Sequence, residues 1–190
     1  MKKLIIITMC ALFATACGSG AGGGSSLSVK AGGKDVPFAV KSSGSDKSVF
    51  TYTPGPGQPP QTATSFSAMF GNYEMDTTNF ATMKKKLASA DQARVSFSIY
   101  GESGTGLKDE VKPGTYKVDK EGRFMSVSTV TVMTFADGND KETYFDLRAA
   151  DAKGEIKVTS VTADAVSGSI DVTQGENSVK GNFTAKIAKK

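Results

Sequence analysis

Residues 165–187 read AVSGSIDVTQGENSVKGNFTAKI, and their spacing decides the fold. Val166, Gly168, Ile170 and Val172 fall on alternate positions. Gln174-Gly175-Glu176-Asn177 then supplies turn chemistry, and Val179, Phe183, Ala185 and Ile187 resume the alternation. A period of two puts one set of side chains on one face of an extended chain, so two strands and a hairpin follow. With the turn signals Ala152-Lys153-Gly154 and Ala163-Asp164-Ala165, the C-terminal third reads as a three-stranded meander.

The same period recurs upstream. Val95, Phe97 and Ile99 alternate with Arg94, Ser96 and Ser98, and Phe66, Ala68 and Phe70 alternate with Ser65 and Ser67. Phe145, Leu147 and Ala149 alternate with Tyr144, Asp146 and Arg148. Ser48–Thr53 is β-branched and aromatic, as strands are. Residues 124–135 are apolar on both faces, the pattern of a central strand. Val36, Phe38 and Val40 alternate around Pro37, which has no N–H and so marks an edge or a strand start. Asp137-Gly138-Asn139-Asp140 is a further turn. Short strands at such spacing predict an all-β domain, an antiparallel sandwich or barrel of about 8–10 strands.

One segment departs from the period. Asn79 is a helix cap, with Phe80, Met83 and Leu87 on one face at helical spacing. The spacing predicts one short helix near 79–90, of about three turns, covering an open part of the sheet. Two segments read as long loops: 54–61, PGPGQPPQ, which excludes helix and central strand, and 101–114, GESGTGLKDEVKPG, which reads as mobile.

The N-terminus carries a different kind of information. Lys2 and Lys3 precede Leu4–Phe13, a ten-residue apolar run. It is too short to span a bilayer, which takes roughly 20 apolar residues, and it has the length of a secretion-signal core. Ala14-Thr15-Ala16-Cys17 follows and resembles the lipobox of bacterial lipoproteins. The resemblance implies cleavage after residue 16 and a diacylglycerol thioether on Cys17. It also implies, with Gly18 next in line, delivery to the outer membrane. Residues 17–26 then form a lipidated Gly/Ser tether, of which the nine after Cys17 span about 15–18 Å as a flexible coil. Residues 27–190 form a single β domain. Glycine-rich tethers of this kind are also similar to those of surface-displayed lipoproteins, and VSGSIDV with VKGNFTAKI resembles the closing hairpin of small β-sandwich lipoproteins of unknown function.

Composition narrows the chemistry. The chain has no His, and its only cysteines are Cys10, inside the apolar run, and Cys17. A Ser-His or Cys-His pair and an ordinary zinc site are therefore excluded. No phosphate-cradling loop is present, and no cofactor is expected. Of 23 basic residues Lys2 and Lys3 lie in the leader, which leaves 21 against 19 acids and a net charge of +2. That balance argues against nucleic acid as a partner.

Four candidate sites remain. Glu102, Asp109 and Glu110 share a loop, and two of them could serve as the acid pair of glycan hydrolysis, but nothing in the loop desolvates either acid, and solvated surface charge is the far commoner explanation. Asp137, Asn139, Asp140 and Glu142 offer hard oxygens for calcium, against the plain reading of a hairpin turn. Lys84, Lys85 and Lys86 suit anionic groups or a solvated helix face. Phe66, Phe70, Tyr73 and Phe80 suit either a pocket or the core. The expectation is a monomeric, non-enzymatic binding module, held at the outer membrane by its lipid. Its partner is an envelope or extracellular protein or a glycan, contacted through loops 54–61 and 101–114. The alternatives are a structural envelope component without a dedicated ligand and a carboxylate-based glycan hydrolase.

Overall fold

The structure is a computed structural model that describes residues 24–187. Cys17, the expected export leader and most of the expected tether lie outside the described residues. Eleven strands follow in chain order: β1 Ser26–Ala31, β2 Lys34–Val36, β3 Ser42–Tyr52, β4 Gln61–Gly71, β5 Ala93–Tyr100, β6 Gly114–Lys117, β7 Ser126–Ala136, β8 Asn139–Tyr144, β9 Lys153–Val161, β10 Ala165–Gln174 and β11 Asn177–Lys186. They form one sheet in the order β2-β1-β11-β10-β9-β6-β7-β5-β4-β3, with β8 paired to β7. All pairings are antiparallel except β6 with β7 and one bridge from Ser45 to Ile187.

That bridge is where the sheet closes. β11 pairs with β1 through residues 178–182, and beyond them its free edge meets β3. Backbone pairing there is sparse, so serine hydroxyls complete the seam. Ser43 Oγ donates to the Thr184 carbonyl at 3.0 Å and Ser45 Oγ to the Lys186 carbonyl at 2.9 Å. Closure removes edges that would otherwise invite strand addition. The result is an all-β barrel, within the fold class the alternation predicts.

Alternation fills the interior. Phe70 on β4, Phe97 on β5 and Phe183 on β11 are buried. Phe97 and Phe183 meet edge-on at 5.0 Å, and Phe70 and Phe183 at 6.0 Å, so opposite walls of the barrel touch through rings. Each such ring contributes about 1.5–3 kcal/mol by leaving water. The β9–β10–β11 meander turns at 162–164 and 175–176 as predicted, but Lys153 and Gly154 already belong to β9 and the chain turns before them; Asp137 and Gly138, both at positive φ, make the β7–β8 hairpin turn. Gly168 sits at a register shift between β10 and β9. A Cβ there would run into the Lys157 carbonyl oxygen and come within 2.9 Å of Phe183 Cζ.

Several expectations need correction. The helix near 79–90 is a single 3-10 turn, Thr82–Lys84. Asn79 does accept the Ala81 and Thr82 amides, each at 3.0 Å, but the turn cannot propagate. The guanidinium of buried Arg94 takes the carbonyls of Met83 at 2.9 Å and Lys85 at 2.6 Å. A continuing helix needs those carbonyls for residues four further on. Leu87 N–H donates instead to Asp140 Oδ1 at 3.1 Å. The run 144–149 is not a strand beyond Tyr144. Asp146 captures the Arg148 amide at 3.1 Å and turns the chain, while Phe145 and Leu147 still bury. Pro37 follows directly on β2, the edge strand of the sheet, as one of its two readings has it, but the strand does not run on through 37–40, and Phe38 and Val40 pack on the core from irregular chain. Finally, Ser25 and Ser26 belong to the fold and not to the tether. Ser26 opens β1, and Ser25 Oγ accepts the Thr184 amide at 2.8 Å.

Candidate functional site

At the end of the barrel where the seam runs out, the interior opens into a cleft of about 500 Å³. Its apolar walls are Phe66 of β4, Val166 of β10, and Ile187 just after β11, with Leu107 of the 101–114 loop. Lys47 and Glu110 face each other across its rim at 2.6 Å. Register explains Lys47. It pairs directly with Phe66 across β3 and β4, and direct partners share a face, so Lys47 follows Ser43 and Ser45 along the inward side of β3. Leu107 is 52% exposed, a large apolar side chain left half in water beside the cleft.

The 101–114 loop is pinned. Gly101 N–H donates to the Thr64 carbonyl and Gly104 N–H to the Thr62 carbonyl, each at 2.8 Å. Thr64 N–H donates to Thr105 Oγ1 at 2.9 Å, and Thr64 Oγ1 donates to the Gly106 carbonyl at 2.7 Å. Asp109 accepts the Gly106 amide at 2.7 Å. Glu102 binds Lys112 at 2.6 Å, and the hydrogen bond and charge of Glu102 raise the Lys112 ammonium above its ordinary pKa. All three acids of the loop are thus engaged in holding it over the barrel mouth. The other loop, 54–61, joins β3 to β4 with one internal turn bond, Gln58 N–H to the Gly55 carbonyl at 3.2 Å.

No family model matches the chain, and no curated protein or solved structure is significantly similar to it. The chemistry must therefore be read from the residues themselves.

The remaining sequence candidates separate in space. Asp137 and Asn139 form the β7–β8 turn, with Asn139 Nδ2 donating to the Asp137 carbonyl at 3.0 Å. Asp140 is occupied by the Leu87 amide, and Glu142 lies opposite Met133 on β8. Among the described residues no group of three or more His, Cys, Asp or Glu is placed to hold a metal ion. Lys84 lies over the Phe80 ring at 5.1 Å, and Lys85 pairs with Asp76 at 3.4 Å. The Thr78 hydroxyl and amide, with Lys85, hold the Asp76 carboxyl below its ordinary pKa. Lys86 is exposed. The four aromatics are divided: Phe66 and Phe70 lie inside the barrel, while Tyr73 and Phe80 pack with Met69, Met75 and Met83 in a small outer cluster. Only Phe66 reaches the mouth. Lys47, Leu107, Val166 and Ile187 are not among the sequence candidates. Their one signal is Leu107, an apolar residue amid the polar run Gly101–Glu110.

Proposed function

We propose that this chain is a lipid-anchored binding module of the bacterial outer membrane, and that it takes an apolar group of its ligand or partner into the barrel mouth. One observation carries the reading: a concave apolar cleft roofed by a pinned loop, with one ion pair at its rim. Barrel mouths are a common place for ligand sites, and the volume lies within the roughly 300–1,000 Å³ that such sites occupy. A rigid loop lowers the ordering cost of binding. Loop 101–114 is one of the two segments, with 54–61, that the sequence singles out for contact, and Leu107 supplies its apolar face. The anchor rests on Ala14-Thr15-Ala16-Cys17 after an apolar core. In this reading the chain works by binding, without chemistry of its own.

Two measurements test it. Mass spectrometry of the mature protein is expected to find a diacylglycerol on Cys17 as the first residue, and a mature chain starting elsewhere refutes the anchor. Anilinonaphthalene sulfonate, an apolar fluorescent probe, is expected to saturate at one site on the full chain in nanodiscs, with empty discs subtracted. Leu107→Asp is expected to weaken that binding about tenfold or more without lowering Tm, since the side chain is half in water. Equal binding by wild type and L107D refutes the mouth as the site.

A further inference from the structure

A second cleft, of about 630 Å³, opens on the outer face of the barrel near the far end of β3. Its apolar surface is a set of rings. Phe50 of β3 and Tyr100 of β5 stack at 3.9 Å with planes 13° apart, and Phe124 meets Phe50 edge-on at 6.3 Å. Tyr52 lies under the Arg123 guanidinium at 4.5 Å. Tyr144, the last residue of β8, lines the same cleft and is 56% exposed. The period of two gathers the strand residues. Phe50 and Tyr52 follow Ser48 on the outward side of β3, Ser48 pairs with Ser65, and Ser65 pairs with Tyr100.

Charge surrounds the rings. Asp119, Glu121 and Arg123 come from the β6–β7 connection, and Asp146 and Arg148 from the turn after β8. Arg123 is held by Glu121 at 3.4 Å. Arg148 makes no ion pair among the described residues, and its backbone amide, bonded to Asp146, fixes the main chain from which the side chain reaches the cleft. An exposed ring and an unpaired guanidinium thus share one concavity.

We infer that this cleft binds a sugar unit of a neutral glycan. A pyranose ring presents a flat C–H face and a rim of hydroxyls that both donate and accept. Aromatic faces, negative at their centres, attract the first. Planar carboxylates accept from the second, and planar guanidinium donates to it in pairs. Other ligand classes fit less well. Three acids against two arginines offer no net positive charge to a polyanion. An acyl chain needs a dry aliphatic channel, and the aliphatic side chains here, Val127 and Leu147, are buried and committed to the core. A peptide partner is anchored by side chains in apolar pockets, whereas here Phe50 and Tyr100 cover one another and Arg123 covers Tyr52, which leaves Tyr144 as the exposed ring of a cleft otherwise rimmed by charge.

The site is on the opposite face of β3 from the mouth cleft, so the two stand or fall separately. The test is bio-layer interferometry of the full chain in nanodiscs, with empty discs as reference. The probes are cellohexaose, chitohexaose, maltoheptaose and mannohexaose, with heparin as a polyanion. At least one neutral oligosaccharide is expected to bind. Tyr144→Ala and Arg148→Ala are each expected to weaken it about tenfold, and Tyr144→Phe to retain binding within about threefold, because the ring face makes the contact. Leu107→Asp is expected to leave it unchanged. Tyr144 is exposed, so Tm of the Y144A protein is expected to equal that of wild type. Binding of none of the four neutral probes, heparin binding more tightly than all of them, or wild-type affinity in Y144A overturns the inference.

Discussion

Replacing Arg94 by Met tests why the 79–90 segment is not a helix. The side chain is 93% buried, at 7% relative exposure. Its guanidinium donates to the Met83 carbonyl at 2.9 Å and the Lys85 carbonyl at 2.6 Å, with the Tyr73 hydroxyl at 3.4 Å. Hydrogen bonds to charged groups contribute about 1.5–3 kcal/mol each. Two short ones make a gross loss of about 3–6 kcal/mol, offset in part because Met carries no charge to desolvate. Met keeps most of the stem's packing, so the deficit isolates the polar head. A net loss near 3 kcal/mol is expected in urea melts, with Tm lower by about 6–12 °C for a chain of this size. Hydrogen exchange supplies the second readout. If Arg94 alone denies the helix its carbonyls, the Met83 and Lys85 carbonyls are freed to accept amides four residues on, the Leu87 amide leaves Asp140 for one of them, and far-ultraviolet dichroism gains helical signal. A loss below about 1 kcal/mol with an unchanged dichroism spectrum refutes the reasoning, because the carbonyls then have other partners and the turn stops for another cause.

Further expectations follow from the same geometry. Tyr116, fully buried, donates its hydroxyl to the Lys112 carbonyl at 2.7 Å, and burial pushes its pKa from 10.0 up to about 12. A phenol whose folded pKa is raised adds stability below its unfolded value and loses it as pH climbs to the folded one. About 3 kcal/mol is therefore expected to vanish between pH 10 and 12, and Tyr116→Phe to remove that portion of the alkaline loss; parallel pH–stability curves for the two proteins contradict it. Gly168→Ala forces a Cβ against the Lys157 carbonyl and Phe183, and is expected to cost about 3 kcal/mol or more in urea melts; a cost under 1 kcal/mol shows that the strand can shift. Glu110→Gln breaks a rim ion pair whose acid is largely exposed, so stability is expected to change by less than about 1 kcal/mol. Its effect belongs instead in the salt dependence of probe binding at the mouth.

The meander was legible because both of its signals are local. Turn residues and alternation at 165–187 need no distant partner, and the structure has strands and turns where they fall. The helix was not legible, because what stops it is Arg94, which is distant from the Asn79 cap and reads in the sequence as a surface residue of a strand. The run 144–149 shows the converse. Its alternation is real, and Phe145 and Leu147 do bury, but Asp146 captures a local amide and ends the extended chain. The mouth cleft was nearly invisible. Its inward strand positions Ser43, Ser45 and Lys47 are polar, so apolar period gives no sign that they face the barrel. Its roof was indicated only as a long loop. Phe50, Tyr52 and Tyr100 looked like ordinary strand aromatics until pairing put them on one outer face.

Thr184 also has a mechanical meaning. Its carbonyl accepts both Ser25 Oγ at 3.3 Å and Ser43 Oγ at 3.0 Å, and its own hydroxyl shares a proton with Ser167 at 3.0 Å. One residue thus knots the chain's entry point, the β3 side of the seam and β10. Tension arriving at Gly24 loads Ser25 and, one residue on, the β1–β11 ladder that begins at Ser26, while the shared carbonyl passes part of it to the seam. A pull on the N-terminal end of the domain is thus divided between a continuous ladder and the sparsest stitching of the wall.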